Sequence, residues 1–577
     1  MDFFNRLLRC FRSARGASSA LQTLVDLAAR ADRVDQPARA AALYRQALAL
    51  APTRAAIHVN LAVLEKRHGN LDAAVALLER ALEIDPGLVQ AWYNLGLTHY
   101  EQWRLADAER ALWQALSLAG GELDPGLRSG LIGLQAIVLQ SLGQPGRART
   151  FLYEAAARFP AHEDECLRMA LLPLCADPAA EPGELLARHR AWATRYADPL
   201  AGDAEPRVWP AQSNRLRLGY VSGDFCAHAV ACFFEPVLAA HDRARFEVFC
   251  YDNGAHADDT SARLRASAEH WRPIGAMGDA DVAALVRADG IDILVDLSGH
   301  TARNRLLVFA RKPAPLQLTW LGYGATTGMR AFDYRITDGV ADPPALSEAH
   351  YVERLIRLPA GQWCYRPSDP SQPAGRFPAL AGHVTYGVFN RMDKVTDFMI
   401  GLWAEVLAAV PRSRLFMRGV SAGEPQLALL ARFAGAGCDP GRIDLRARVP
   451  ASEYWGSYRA ADIAFDTYPY NGVTTTCESL WMGIPVISLA GQFGVARCGA
   501  SLLTMVGLAE LVAANAEAYV RIAVDLGRDQ ARLGTLRHGL RDRMLRSSLM
   551  DARTQTGCLE SAYLGAWSAV RSAPVAA

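Results

Sequence analysis

What this chain lacks narrows it before any motif is read. It has no imbalance of charge: 61 Lys and Arg stand against 60 Asp and Glu, a formal net charge of +1. Without a global positive field, nucleic acid is not an expected partner. It has no apolar run long enough to cross a bilayer, so no transmembrane segment is expected. Its eleven cysteines include no Cys-x-x-Cys pair, so neither a zinc site nor a disulfide framework is expected. Several sit in apolar contexts, such as Cys232 in Ala-Cys-Phe-Phe and Cys250 in Val-Phe-Cys-Tyr. They read as reduced core residues of a cytoplasmic protein. The start mixes Phe and Leu with Arg but has no continuous apolar core and no small-residue cleavage site, unlike a signal peptide. Residues 1–19 read as an N-terminal extension, either loosely docked or lying on a membrane surface.

What is present is an ordered, multidomain composition. At 577 residues with 51% hydrophobic and 21% charged residues, the chain exceeds one core, and two to four domains are expected. Residues 20–160 are helical and periodic. Ala40, Tyr44, Ala47 and Pro52 recur 34 residues later as Ala74, Leu78, Ala81 and Pro86, then as Ala108, Leu112 and Ala115. Leu27-Ala28, Leu61-Ala62 and Leu95-Gly96 match in the preceding helices. A 34-residue period with small residues at helix crossings is the tetratricopeptide signature. Ala148, Leu152, Ala155 and Pro160 form a weaker fourth copy. Such units stack into a solenoid with a concave face. Asp26, Asn60 and Asn94 occupy equivalent first-helix positions. They either face solvent or form a polar row able to grip an extended peptide.

A helical connector, 161–206, includes Pro182 to Tyr196. The pattern then changes. Leu216 to Val221, Phe246 to Tyr251, Ile291 to Leu297 and Leu316 to Leu321 are short β-branched and aromatic runs alternating with helices such as Ala280 to Ala288. This βα alternation predicts a parallel sheet. Gly and Pro cluster from Pro367 to Gly382. A second βα series follows, through Val384 to Phe389, Arg414 to Met417, Ile463 to Phe465 and Pro485 to Leu489. Two doubly wound lobes, 207–375 and 376–577, are expected to face each other across a cleft at their strand C-terminal ends. Polar loops fall at five such ends, carrying His228, His300, Tyr323 with Thr326 and Thr327, Asn390 with Lys394, and the stretch Asp466 to Val486. A lone loop histidine is more often structural, and a lone lysine solvated; five loops at one rim are harder to dismiss.

The last stretch reads strand, loop, helix start, short helix, strand. Thr474, Thr475 and Thr476 offer hydroxyls and a cap at a helix start suited to a diphosphate. Glu478 stands one step inside, able to accept from ribose hydroxyls. Helix capping and dipole complementation account for these residues equally well from the stretch alone.

The stretches Leu216-Arg-Leu-Gly-Tyr-Val-Ser-Gly-Asp-Phe225, Phe309 to Tyr323, Phe389-Asn-Arg-Met-Asp-Lys394 and Asp466 to Val486, together with the repeats, resemble the tetratricopeptide O-glycosyltransferases. These are the O-linked N-acetylglucosamine transferases and their SPINDLY relatives. The resemblance implies an α-helical tetratricopeptide solenoid followed by a two-lobed α/β glycosyltransferase-B fold. It implies an inverting transfer that needs no metal or other cofactor, from a nucleotide sugar to Ser or Thr of protein or peptide acceptors recruited by the repeats. By position, Lys394 matches the lysine that neutralises the diphosphate, and Thr474 and Thr475 the phosphate-contacting threonines. Glu478 matches the ribose-holding carboxylate, and His228 the active-site histidine near the acceptor. His300 and Tyr323, with Thr326 and Thr327 on the same loop as Tyr323, match the cleft lining, and Tyr454 falls where a base-stacking histidine stands. Val473 departs from the histidine of the N-acetylglucosamine branch, Gly324-Ala325 from a Pro-Gly, and Arg391 from an amide. The run Gly-Val-Thr-Thr-Thr-Cys-Glu-Ser-Leu is closer to the SPINDLY branch. UDP-N-acetylglucosamine is therefore the first expected donor and GDP-fucose the second; the rival readings are a non-catalytic scaffold whose repeats recruit partners, and a transferase acting on a lipid or glycan.

Overall fold

The structure, a computed structural model, describes residues 14–34, 36–120, 123–203, 214–254, 257–372 and 382–572. The Arg- and Phe-bearing start and the division expected at 375/376 lie outside the described residues. The chain divides into two compact units, Met1–Leu142 with Ser421–Pro425, and Gly143–Val420 with Gln426–Ala577.

The first unit is built of helix pairs: Ala14–Arg33 with Pro37–Leu50, Ala55–Arg67 with Leu71–Ile84, and Val89–Glu101 with Leu105–Leu118, followed by Pro125–Ser141. The 34-residue rhythm marks their crossings. Ala40, Ala74, Ala108, Ala47, Ala81 and Ala115 are all completely buried, because helix axes approach closely only over small side chains. Gly96 stands where the earlier copies have Ala, and a Cβ there would come 2.6 Å from Leu112 Cγ. The equivalent polar positions do not form one continuous row. Asp26 and Asn60 are exposed, whereas Asn94 is buried and donates to the Gln90 carbonyl at 2.8 Å. The fourth copy forms the Pro145–Arg158 helix of the second unit, with Ala148, Leu152 and Ala155 buried.

The second unit holds two parallel sheets. The first contains β1 (Leu216–Ser222), β2 (Phe246–Asp252), β3 (His270–Pro273), β4 (Ile293–Asp296), β5 (Leu316–Thr319), β6 (Tyr334–Thr337) and β7 (Arg354–Arg357), in the order β3-β2-β1-β4-β5-β6-β7. The second contains β8 (Thr385–Val388), β9 (Arg414–Arg418), β10 (Ile443–Arg446), β11 (Ile463–Phe465), β12 (Val486–Leu489) and β13 (Val512–Ala513), in the order β10-β9-β8-β11-β12-β13. In each sheet the order reverses beside the first strand, where a doubly wound fold opens its ligand crevice. The central strands are mostly apolar because helices cover both faces; all of Ile293 to Asp296 is buried. The sequence pattern missed β3, β6, β7, β10 and β13. These are short, and most carry polar residues: β3 is His-Trp-Arg-Pro and β10 Ile-Asp-Leu-Arg.

One excursion escapes a linear division into lobes. The last helix, Ala552–Ser572, leaves the second lobe and inserts Leu559, Tyr563, Ala566, Trp567 and Val570 into the core of the first. A buried polar network fixes it there. Glu560 Oε1 pairs with His241 Nδ1 at 2.8 Å and accepts the Asp242 N–H at 2.8 Å. Tyr220 Oη meets His241 Nε2 at 2.8 Å and Tyr563 Oη at 3.3 Å.

Candidate functional site

The site grows from one buried carboxylate. Asp466 follows β11 and is 2% exposed. Its Oδ1 accepts from the N–H groups of Thr467 (2.8 Å) and Gly472 (2.6 Å) and from Asn390 Nδ2 (3.1 Å), while Oδ2 accepts from Ser488 Oγ at 2.7 Å. One side chain thus gathers the ends of β8, β11 and β12 and folds residues 466–472 into a tight loop. Burial still raises its pKa, against those hydrogen bonds. Only glycine fits at 472, since a Cβ would lie 2.3 Å from Thr475 Oγ1 and 2.7 Å from Asn390 Oδ1.

Lys394 sits on this loop. Its Nζ donates to the Asn471 carbonyl at 2.8 Å and lies 3.9 Å from the centre of the Tyr470 ring. Burial brings its pKa down to about 8, with Arg391 adding to the effect and Asp393 and Asp466 opposing it. The ammonium is therefore held by a carbonyl and a π face on the loop that leads into the helix, with no carboxylate ion pair among the described residues.

The helix Thr474–Trp481 begins immediately after. Its N-cap is Val473, which makes no side-chain cap, so the expectation that the threonines cap it is corrected. They lie within the first turn, where their backbones are already helical. Thr475 Oγ1 donates to Asn390 Oδ1 at 2.5 Å and Thr476 Oγ1 to the Gly472 carbonyl at 3.0 Å. Thr474 is half-buried. The first-turn N–H groups of a helix have no partner within it, and such a start can receive an anion. A small pocket opens behind this turn, bounded by Asn390, Asp466, Thr475 and Ser479.

Glu478, further along the same helix, is 5% exposed. Its Oε2 accepts from Tyr454 Oη at 2.6 Å and Tyr458 Oη at 2.7 Å. Burial raises its pKa while the two hydroxyls and Arg418 oppose the rise. Arg418, at the end of β9, lies 4.0 Å from the Tyr454 ring centre and donates to Ser457 Oγ at 2.6 Å. Arg418 therefore covers one face of the ring expected to stack on a base. Sequence reasoning missed Arg418, Tyr458, Tyr470 and Asp466 as site residues. Two signals were available: Arg418 ends a strand like the chosen loops, and Tyr458 stands one helical turn after Tyr454.

His228 lies in the first lobe, at the start of the Ala229–Ala240 helix, with its side chain 46% exposed. That helix reaches the second lobe: Phe233 joins the second lobe's core, and the charge of Glu478 acts on the Cys232 thiol, which burial pushes up to about 12. His228 is one turn before Cys232, at the start of this helix.

The four residues expected to line the cleft are all buried. His300, Tyr323, Thr326 and Thr327 are between 0% and 2% exposed. His300 donates from Nε2 to the Thr327 carbonyl at 2.8 Å and packs edge-on to Trp192 and His189. Tyr323 Oη meets His189 Nε2 at 2.7 Å. Thr326 donates to Glu353 Oε2 at 2.7 Å, and Thr327 donates to Glu353 through both its N–H and its hydroxyl. The connector helix Pro182–Trp192 packs on His300 and Tyr323, and Tyr323 also joins Phe493 and Val495 of the second lobe in one cluster against which Tyr468 and Tyr470 pack. Burial takes His189 down to about 4, leaving it neutral to accept the Tyr323 hydroxyl.

Among the described residues, no group of three or more His, Cys, Asp or Glu side chains could hold a metal ion, and no helix is long and apolar enough to cross a membrane. The described cysteines are free thiols.

Comparison with known proteins places this geometry. The model of glycosyl transferase family 41 matches residues 204–364 and 376–559. Models described as TPR repeat and tetratricopeptide repeat match 64–102 and 93–120. A rice (Oryza sativa subsp. japonica) protein named probable UDP-N-acetylglucosamine–peptide N-acetylglucosaminyltransferase SPINDLY is 40% identical over 395 residues, 67% of this chain and 42% of that protein. An Arabidopsis thaliana protein of the same enzyme name, SEC, is 32% identical over 378 residues, 61% of this chain and 37% of that protein. The chain spans about two fifths of the length of the curated relatives it matches. A solved structure described as a lysine-to-methionine mutant of the Thermobaculum terrenum O-GlcNAc transferase superposes with a TM-score of 0.74 at 34% identity, covering 96% of this chain and 98% of that one.

Proposed function

This chain belongs to glycosyl transferase family 41, and on that premise we propose that it is an inverting protein O-glycosyltransferase. It moves N-acetylglucosamine from UDP-N-acetylglucosamine to serine and threonine hydroxyls. One observation carries the reading: the Lys394 ammonium, held on the Asn471 carbonyl at 2.8 Å, stands at the mouth of an uncapped helix start. Departure of a nucleoside diphosphate develops negative charge, and a fixed cation with aligned N–H groups stabilises that charge more than it stabilises the ground state. Lys394 and the first turn of the Thr474–Trp481 helix bind the diphosphate, with the Thr474 and Thr475 hydroxyls adding donors. Asn390 holds Thr475 in place. Glu478 accepts from the ribose through the oxygen not committed to Tyr454 and Tyr458. Tyr454 flanks the base. His228 meets the acceptor hydroxyl, which attacks the anomeric carbon in line with the departing oxygen. The tetratricopeptide repeats recruit the protein acceptor.

A thermal-shift panel of UDP, GDP, UDP-N-acetylglucosamine and GDP-fucose tests the donor, because a ligand that binds only the folded state raises its melting temperature. Stabilisation by the UDP pair and loss of sugar transfer in Lys394→Ala are expected. Stabilisation by the GDP pair alone would replace the donor assignment. Full transfer by Lys394→Ala would remove the lysine's role.

A further inference from the structure

Nδ1 of His228 sits between two groups with opposite demands. The Val230 N–H donates to it over 3.3 Å, which requires a bare lone pair. Asp224 Oδ2 lies 3.6 Å from the same nitrogen and is satisfied only by an N–H. A neutral imidazole carries one ring proton, so the two contacts belong to different tautomers. With the cap made, the proton is on Nε2 and the ring offers the cleft a donor. With Nδ1–H turned to Asp224, Nε2 is bare and accepts.

Asp224 is built for the second arrangement. Its side chain is 17% exposed. Its own N–H is spent on Ser222 Oγ at 3.0 Å. Burial raises its carboxyl pKa, and only His228 and Arg303 oppose the rise. The other polar neighbours do not compete for Nδ1. Cys226 accepts the His228 N–H through its carbonyl at 2.6 Å, Asp258 accepts the Ala227 N–H at 2.7 Å, and the Cys232 thiol points to the His228 carbonyl at 3.9 Å.

We propose that Asp224 is a positioning residue that selects the tautomer of His228, turning it from a hydrogen-bond donor into the proton acceptor for the incoming hydroxyl. The inference rests on the transferase reading above. In the step, the bond from the acceptor oxygen to the anomeric carbon forms as the bond from that carbon to the diphosphate oxygen breaks. The bonding pair leaves with the diphosphate. The hydroxyl proton passes to Nε2, and the resulting imidazolium, protonated on both nitrogens, can no longer keep the Val230 cap. Its Nδ1–H is held by the Asp224 carboxylate.

The test is a long-range proton–nitrogen NMR spectrum of the full chain labelled in histidine, at about pH 8, above the ordinary histidine range. The His228→Gln protein identifies the His228 signals. Wild type is expected to show both tautomers in exchange. Asp224→Asn, whose amide can itself donate to Nδ1, is expected to hold His228 wholly as the Nε2–H form, and Asp224→Ala to do the same without that amide. Removing a correctly set base costs on the order of 100-fold in kcat, so Asp224→Asn should lose about that much with the donor KM within about twofold, and Asp224→Glu should recover part of it. In the His228→Gln background, Asp224→Asn should cost nothing more. A tautomer unchanged in both Asp224 variants, or a loss that persists in the His228→Gln background, overturns the proposal. If the tautomer shifts as expected while wild type transfers no sugar from any donor, control of His228 by Asp224 stands and the transferase reading falls.

Discussion

The depressed pKa of Lys394 makes donor binding a proton-linked event. Free Lys394 titrates near 8, chiefly because it is buried, against an ordinary lysine value of 10.5. A bound diphosphate sets negative charge against the ammonium and raises that value again. Binding therefore favours the protonated amine: affinity is full below the free pKa and is lost as pH rises above it, until the bound pKa is reached. With a free value of 8, the protonated share falls from about nine tenths at pH 7 to about one tenth at pH 9, so the dissociation constant for UDP should rise about tenfold, or ~1.4 kcal/mol. The last ionisation of the phosphate, near pH 6, is complete before this window and adds little slope. Isothermal titration at pH 8 in two buffers of different ionisation enthalpy should register uptake of about half a proton per UDP. Arginine does not deprotonate in this range, so Lys394→Arg should flatten the profile even if binding is weaker throughout. A UDP affinity constant from pH 7 to 9.5, with no proton uptake, would refute the pairing of Lys394 with the diphosphate.

Three further outcomes follow from the packing. Gly472→Ala places a Cβ 2.3 Å from Thr475 Oγ1, so it should destabilise the chain by about 1–3 kcal/mol in urea unfolding and abolish stabilisation by UDP. Tyr563→Ala empties a fully buried position in the first lobe and should cost about 3–5 kcal/mol, seen as a lower urea midpoint. A matched glycine pair isolates the helix crossing in the repeats. Gly534→Ala meets nothing within 4 Å and should gain up to about 1 kcal/mol of helix propensity, whereas Gly96→Ala meets Leu112 at 2.6 Å and should gain nothing or lose stability. Equal gains at both positions would contradict the crossing at Gly96.

Much of this architecture was legible because it repeats or alternates. Ala40, Ala74 and Ala108 stand 34 residues apart and share one role, the crossing where only a small side chain fits. The strands from Leu216 and Phe246, and the Ile463–Phe465 strand, announced themselves by short apolar and aromatic runs. What stayed hidden depends on partners distant in sequence. The bond pattern of Glu478 needs Tyr454, Tyr458 and Arg418 from another strand and helix. The strand-end signal that marked Lys394 also marked His300 and Tyr323, but nothing local shows that the helix bearing His189 covers those two. A polar residue at a strand end reads the same whether it meets a ligand or a neighbouring helix. The last helix looked like a continuation of its own lobe because amphipathic spacing does not say which core receives its apolar face.

That crossover sets an order of events during synthesis. Strands β1 to β7 leave the ribosome about two hundred residues before Leu559 and Tyr563, which complete their hydrophobic interior. Throughout that interval the earlier lobe exposes an apolar groove, the kind of surface that invites chaperones or aggregation. A nascent chain stalled before the final helix should therefore remain protease-sensitive in its first sheet, however well its repeats have already folded.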